Sequence, residues 1–193
     1  GTNVELLFEQ LNELKAGDIL VLSGSIPSSI RSSIYKEIME RLQGRGIQIV
    51  VDAEKALLME VLPLHPFLIK PNNHELEAML GRTLSTKEEV LEGAKELQAL
   101  GARNVLVSMA GDGAVLLTED GAVYREGVCR GTVVNSVGAG DSMVAGFLAG
   151  YLKTGDYGYA LKLGTASGGA TAFSHGIGSR EKIMELFTQL NKK

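Results

Sequence analysis

Four short apolar runs limit the architectures open to this chain. Asp18-Ile19-Leu20-Val21-Leu22, Ile47-Gln48-Ile49-Val50-Val51-Asp52, Phe67-Leu68-Ile69-Lys70 and Asn104-Val105-Leu106-Val107-Ser108 are four to six residues long. They are nearly continuous rather than alternating, as strands buried on both faces of a parallel sheet are. Between them apolar residues recur at helical spacing: Ile34, Ile38, Met39 and Leu42; then Leu57, Leu58, Val61 and Leu62 before Pro63 and Pro66; then Leu76, Met79 and Leu80; then Val90, Leu91, Ala94, Leu97 and Leu100. Strands alternating with helices predict an α/β fold with a parallel sheet, and the units are too few for an eightfold barrel. One open-sheet α/β domain over residues 1–193 is therefore expected, with no repeat or linker to divide it.

The ends of these runs matter more than their middles, because ligands of open α/β sheets gather at the carboxyl ends of the strands. There the chain delivers Ser23-Gly24-Ser25 ahead of Pro27, Asp52, and Lys70 ahead of Pro71. Asp52 is expected to cap the helix that follows near Glu54. Asn72 and Glu75 have the N-x-x-E spacing of a cap and its reciprocal partner, and Ser85 and Glu88 read as a second capping box. Gly111-Asp112-Gly113 and Asp120-Gly121 are turn signals around two further short strands, 114–117 and 122–124. Asp156 and Ser179 are placed to cap the last two helices.

Asn135-Ser136-Val137-Gly138-Ala139-Gly140-Asp141-Ser142-Met143-Val144-Ala145-Gly146-Phe147 is the stretch that carries chemistry. Small residues run into a helix expected over 142–152, so main-chain N–H groups at its head can meet an anion directly. Asp141 lies in the first turn, where the helix dipole favours a carboxylate and where it can take a proton from an attacking alcohol. Neither G-x-G-x-x-G nor G-x-x-x-x-G-K-[ST] occurs, which disfavours a Rossmann dinucleotide site and a P-loop.

Composition removes other classes of function. A chain of 193 residues hides roughly 70% of its unfolded surface, so it needs no staples. The lone Cys129 has no partner for an internal bridge and no His or Cys at metal spacing, so it reads as an ordinary thiol. The net charge is −4, Trp is absent and no basic stripe with interleaved aromatics occurs, so a nucleic-acid partner is not expected. No apolar run approaches the roughly 20 residues of a membrane span and no signal peptide is recognisable, so a cytoplasmic protein without membrane contact is expected.

The 135–147 stretch strongly resembles the carboxy-terminal signature of the PfkB group of ribokinase-like sugar kinases. Ser23-Gly24-Ser25-Ile26-Pro27, Lys70-Pro71-Asn72-Asn73-His74-Glu75 and Ser108-Met109-Ala110-Gly111-Asp112-Gly113-Ala114 match in family order, so the resemblance covers essentially the whole chain. It implies a ribokinase-like open parallel sheet flanked by helices, here a carboxy-terminal portion without the family's first strands and lid. The branch most similar is the one that phosphorylates sugar phosphates, the 1-phosphofructokinases first. The implied reaction carries the γ-phosphoryl group of ATP to the C6 hydroxyl of fructose 1-phosphate. By resemblance Asp141 is the general base and touches the substrate, the Gly138, Ala139 and Gly140 amides form the anion hole, and Ser25 contacts the sugar. Asn72 and Glu75 would hold Mg²⁺ through water, and Lys70, Ser108, Gly111 and Gly113 would approach the nucleotide. Ser174 would lie on the adenine wall, in a segment that, with the backbone near Asn135 and Val137, can surround a monovalent cation such as K⁺. A homodimer is implied for the intact protein. Tagatose-6-phosphate and fructose-6-phosphate kinases, ribokinase-like or adenosine-kinase-like enzymes, and a truncated non-catalytic nucleotide-binding module share the same features and stay open.

Overall fold

The computed structural model describes residues 2–192. The chain forms two compact units, Gly1–Leu106 with Thr118–Asp120, and Val107–Leu117 with Gly121–Lys193. No helix among the described residues is long and apolar enough to cross a membrane.

In the first unit, α1 (Thr2–Leu11), α2 (Ile34–Leu42), α3 (Lys55–Val61), α4 (Asn73–Leu80) and α5 (Lys87–Ala99) alternate with β1 (Ile19–Ser23), β2 (Gln48–Asp52), β3 (Leu68–Ile69) and the start of β4 (Asn104–Ser108). The strands pair in parallel, Ile19 opposite Gln48 through Ser23 opposite Asp52, then Val50 opposite Leu68, then Leu68 opposite Asn104. This register brings the carboxyl ends of β1 and β2 level, and places Lys70 immediately beyond β3. Val50, Val51, Leu68, Ile69, Val105 and Leu106 are wholly buried, as continuous apolar runs require. Fully buried Asn104 fixes the register with side-chain bonds, Nδ2 donating to the Phe67 carbonyl (2.7 Å) and Oδ1 accepting from the Glu119 N–H (3.0 Å).

Three local expectations change. The first run is not buried on both faces: Leu22 is buried, but Val21 is 41% exposed, because β1 pairs with β2 alone among the described residues. The second capping box sits one residue later than Ser85 and Glu88. Thr86 is the cap of α5, and the Glu89 carboxylate accepts from both the Ser85 and Thr86 N–H groups, two donors that Glu88 leaves alone. Asp52 is not the cap of α3; Glu54 holds that position without a side-chain bond, and the Asp52 carboxylate pairs with Lys70.

In the second unit, β5 (Ala114–Leu117) and β6 (Val123–Glu126) form an antiparallel hairpin, Leu116 opposite Tyr124. Beside it lie α6 (Ala139–Thr154), α7 (Tyr157–Ala172) and α8 (Arg180–Leu190). α6 and α7 meet backbone to backbone: a Cβ on Gly164 would lie 2.9 Å from the Met143 carbonyl oxygen, and one on Gly168 3.1 Å from that of Ala139. Leu186 and Leu190 of α8 close on Ala166 and Ala170 of α7. Asp156 and Ser179 cap α7 and α8 as their positions predict. α6 begins at Ala139, three residues before the expected start, so Asp141 is its third residue.

Candidate functional site

The residues singled out from the sequence fall into two groups, one in each unit. In the first unit the polar ends of β1, β2 and β3 come together. Lys70 is 6% exposed, and its Nζ lies 3.6 Å from Oδ1 of Asp52. An ammonium so far out of water requires a counter-charge, which makes Lys70 a fixed cation rather than a solvated surface lysine. The Asp52 carbonyl accepts the Gly24 N–H (3.0 Å), tying β2 to the loop after β1. From α2 the Tyr35 hydroxyl donates to the carbonyls of Ser23 (2.7 Å) and Gly24 (3.1 Å). Burial, and to a smaller extent the charge of Asp52, pushes the Tyr35 phenol above its ordinary range, so it remains a donor at neutral pH. Ser25 follows this turn, exposed.

The Asn72 and Glu75 box forms as the spacing predicts. Asn72 Oδ1 accepts the Glu75 N–H and Glu75 Oε2 accepts the Asn72 N–H, both at 2.8 Å. These bonds leave Oε1 of Glu75 without a protein donor among the described residues. One carboxylate oxygen is a fitting acceptor for water on a hydrated Mg²⁺, which keeps several waters and takes few protein ligands. Among the described residues no three His, Cys, Asp or Glu side chains gather as a metal cage.

In the second unit the head of α6 is bare. Gly138 caps it at φ 79°, a left-handed conformation that a side chain would strain. The Ala139 N–H donates to Ser136 (3.1 Å) and is engaged, whereas the Gly138, Gly140 and Asp141 N–H groups have no acceptor among the described residues. Asp141 is exposed beside them. This turn is braced from behind, where the Ser142 and Thr171 hydroxyls lie 2.7 Å apart and Thr171 Oγ1 accepts the Gly178 N–H (3.0 Å). Val134 and Asn135 both donate their N–H to the Ala172 carbonyl, binding the approach loop to the end of α7. The Ser174 hydroxyl donates to Ala170 (2.7 Å). Ser108 is half-buried at the end of β4, and the turn after it closes through the Met109 N–H to the Gly113 carbonyl (2.8 Å). Gly111 is exposed at that turn, and a Cβ on Gly113 would fall on the Glu126 carbonyl oxygen.

Sequence reasoning placed Asp52 in the wrong role and passed over Tyr35. Tyr35 is the second residue of α2, between Ile34 and Lys36, and nothing local announces which carbonyls it reaches.

The chain resembles proteins of known kind throughout. It is 46% identical over 182 residues to 1-phosphofructokinase of Bacillus subtilis (strain 168), covering 94% of this chain and 60% of that protein. It is 35% identical over 184 residues to D-tagatose-1-phosphate kinase of Klebsiella oxytoca, covering 95% of this chain and 60% of that one. The crystal structure of phosphofructokinase-2 from Escherichia coli in complex with substrates and products superposes with a TM-score of 0.90 at 27% identity, over 97% of this chain and 62% of that chain. That phosphofructokinase-2 has also been solved in complex with potassium. The chain thus spans about 60% of the length of the curated relatives it matches. The profile of the pfkB family carbohydrate kinases runs over residues 1–183. With its glycine-capped helix head, its ordered motifs and this near-complete match, the chain belongs to the pfkB family of carbohydrate kinases.

Proposed function

We propose that this protein transfers the γ-phosphoryl group of ATP to the C6 hydroxyl of a ketohexose 1-phosphate, with fructose 1-phosphate the substrate and fructose 1,6-bisphosphate the product. One observation carries the reading: the exposed carboxylate of Asp141 sits as the third residue of α6, beside the unengaged N–H groups of Gly138, Gly140 and Asp141. The sugar oxygen bonds to the γ-phosphorus as the bond from that phosphorus to ADP breaks, and Asp141 takes the hydroxyl proton. The amides meet the charge that grows on the transferred group, and the positive end of α6 acts in the same sense. Ala139 serves this site by shaping the turn, since its own N–H is engaged. Ser25 contacts the sugar, and Lys70, Ser108, Gly111, Gly113 and Ser174 belong to the nucleotide side. Asn72 and Glu75 would hold the water shell of Mg²⁺, which when bound neutralises the triphosphate. A K⁺ ion held by the 171–178 segment with the backbone near Asn135 and Val137 is part of the same reading, supported by the potassium complex of the E. coli relative.

D-Tagatose 1-phosphate is the second substrate reading, favoured by the Klebsiella relative. A coupled assay over fructose 1-phosphate, the two tagatose phosphates, fructose 6-phosphate and ribose ranks these substrates by kcat/KM. Asp141→Asn should lower kcat by roughly 10²-fold or more while nucleotide affinity, measured by calorimetry, changes little. Turnover of that variant at the wild-type rate would refute the assignment of the base.

A further inference from the structure

We propose that Tyr35 is a positioning residue for sugar-phosphate recognition, its phenol holding the Ser23–Gly24 turn in the one shape that presents Ser25. The inference rests on the kinase reading above, which sets Ser25 against the sugar. Three hydrogen bonds define the turn. The Gly24 N–H donates to the Asp52 carbonyl, and the single phenolic hydrogen of Tyr35 is shared between the Ser23 and Gly24 carbonyls, with oxygen separations of 2.7 and 3.1 Å. Gly24 stands at φ 82° with no heavy atom within 4 Å of where a Cβ would be, so its backbone shape, and not crowding, is what the position demands. An uncrowded glycine can leave such a shape at little steric cost, so hydrogen bonds to its peptide groups are what narrow it to one conformation. The holder is itself anchored, because Ile34, Ile38, Met39 and Leu42 bury the inner face of α2 and fix the Tyr35 backbone to the core.

The far end of the same loop is closed separately, where Glu37 accepts from Arg31 Nε (2.6 Å) and the Ser33 hydroxyl (2.7 Å). Between these two clasps Ser25, Ser28 and Ser29 are exposed. The loop is thus tethered at its roots and open at the point where a sugar would meet it. Within this arrangement the tyrosine hydroxyl contributes nothing to the core; both of its acceptors belong to the turn.

Tyr35→Phe keeps the ring and removes the donor, so it separates the two functions of the side chain. With one hydrogen bond lost, KM for the sugar phosphate should rise about fivefold, with KM for ATP unchanged and kcat within about twofold of wild type. Hydrogen–deuterium exchange should quicken in the peptide covering residues 22–27 and stay the same in α4 and α5. An unchanged KM for the sugar, an equal rise for ATP, or unchanged exchange in the turn would overturn the role of Tyr35. A wild-type protein that turns over none of the sugars in the panel would instead defeat the kinase reading, and the recognition role with it. An active wild type with an unaltered variant would defeat the role of Tyr35 alone.

Discussion

Lys70 is a cation held where water scarcely reaches, and its surroundings are unequal in a way that makes a prediction. Its side chain is 7% exposed and that of Asp52 17%, so the acid retains more solvent than the base. Removing Asp52 leaves a buried ammonium uncompensated, and Asp52→Ala should cost about 3 kcal/mol in urea unfolding. Lys70→Met leaves a partly hydrated carboxylate behind and should cost clearly less. Equal losses in the two variants would show that solvent access does not set the balance. The sequence shows that Lys70 ends a strand run, but its burial depends on β2 and β3 lying side by side, which no neighbouring residue encodes.

At the scale of elements, the head of α6 owes its placement to α7. Gly146, Gly164 and Gly168 let the two helices touch at the backbone, and a Cβ on Gly146 would overlap Ser167 Oγ and come within 2.8 Å of the Leu163 carbonyl oxygen. Gly146→Ala should therefore destabilise the protein by about 1–3 kcal/mol despite alanine's better helix propensity. Adding Ser167→Ala should recover part of that loss, a coupling that thermal melts of the two single variants and the double variant would reveal. The run of small residues in the 135–147 stretch was legible in the sequence. Which glycine meets which carbonyl was not, because helical periodicity identifies a face but leaves its partner unspecified.

Across the whole molecule, stability has an acid limb and an alkaline limb. Hydrogen bonds from Arg103 hold the Glu119 carboxyl low, those from Arg82 act on Glu96, and those from Arg31 and then Ser33 act on Glu37. The Glu181 carboxyl is held low by its own backbone N–H and then by Ser179. A folded pKa below the unfolded one contributes stability above about pH 4.3, and that contribution is lost as pH falls through the lower folded value. Tyr35 is the opposite case: its raised pKa contributes below about pH 10 and is lost as pH rises through the folded value. Calorimetric melting temperatures should thus decline below about pH 4.3, less steeply in Glu119→Gln, and the Tyr35→Phe variant should show a shallower fall above about pH 10. The acid limb should be modest, since these carboxylates are mostly exposed. Much of this organisation was readable from the chain alone. The alternation of strands and helices, the caps at Asn72, Asp156 and Ser179, and the bare glycine-rich approach to Asp141 rest on short-range spacing, where backbone geometry translates directly into residue pattern. Tertiary structure alone decided the partnerships: the ion pair of Lys70 with Asp52, the reach of Tyr35 to a turn twelve residues back, and the exposure of Val21 on a strand with one neighbour among the described residues. These follow from which strands lie side by side and in what register, and contacts between residues far apart in the chain leave no mark on the local pattern of either.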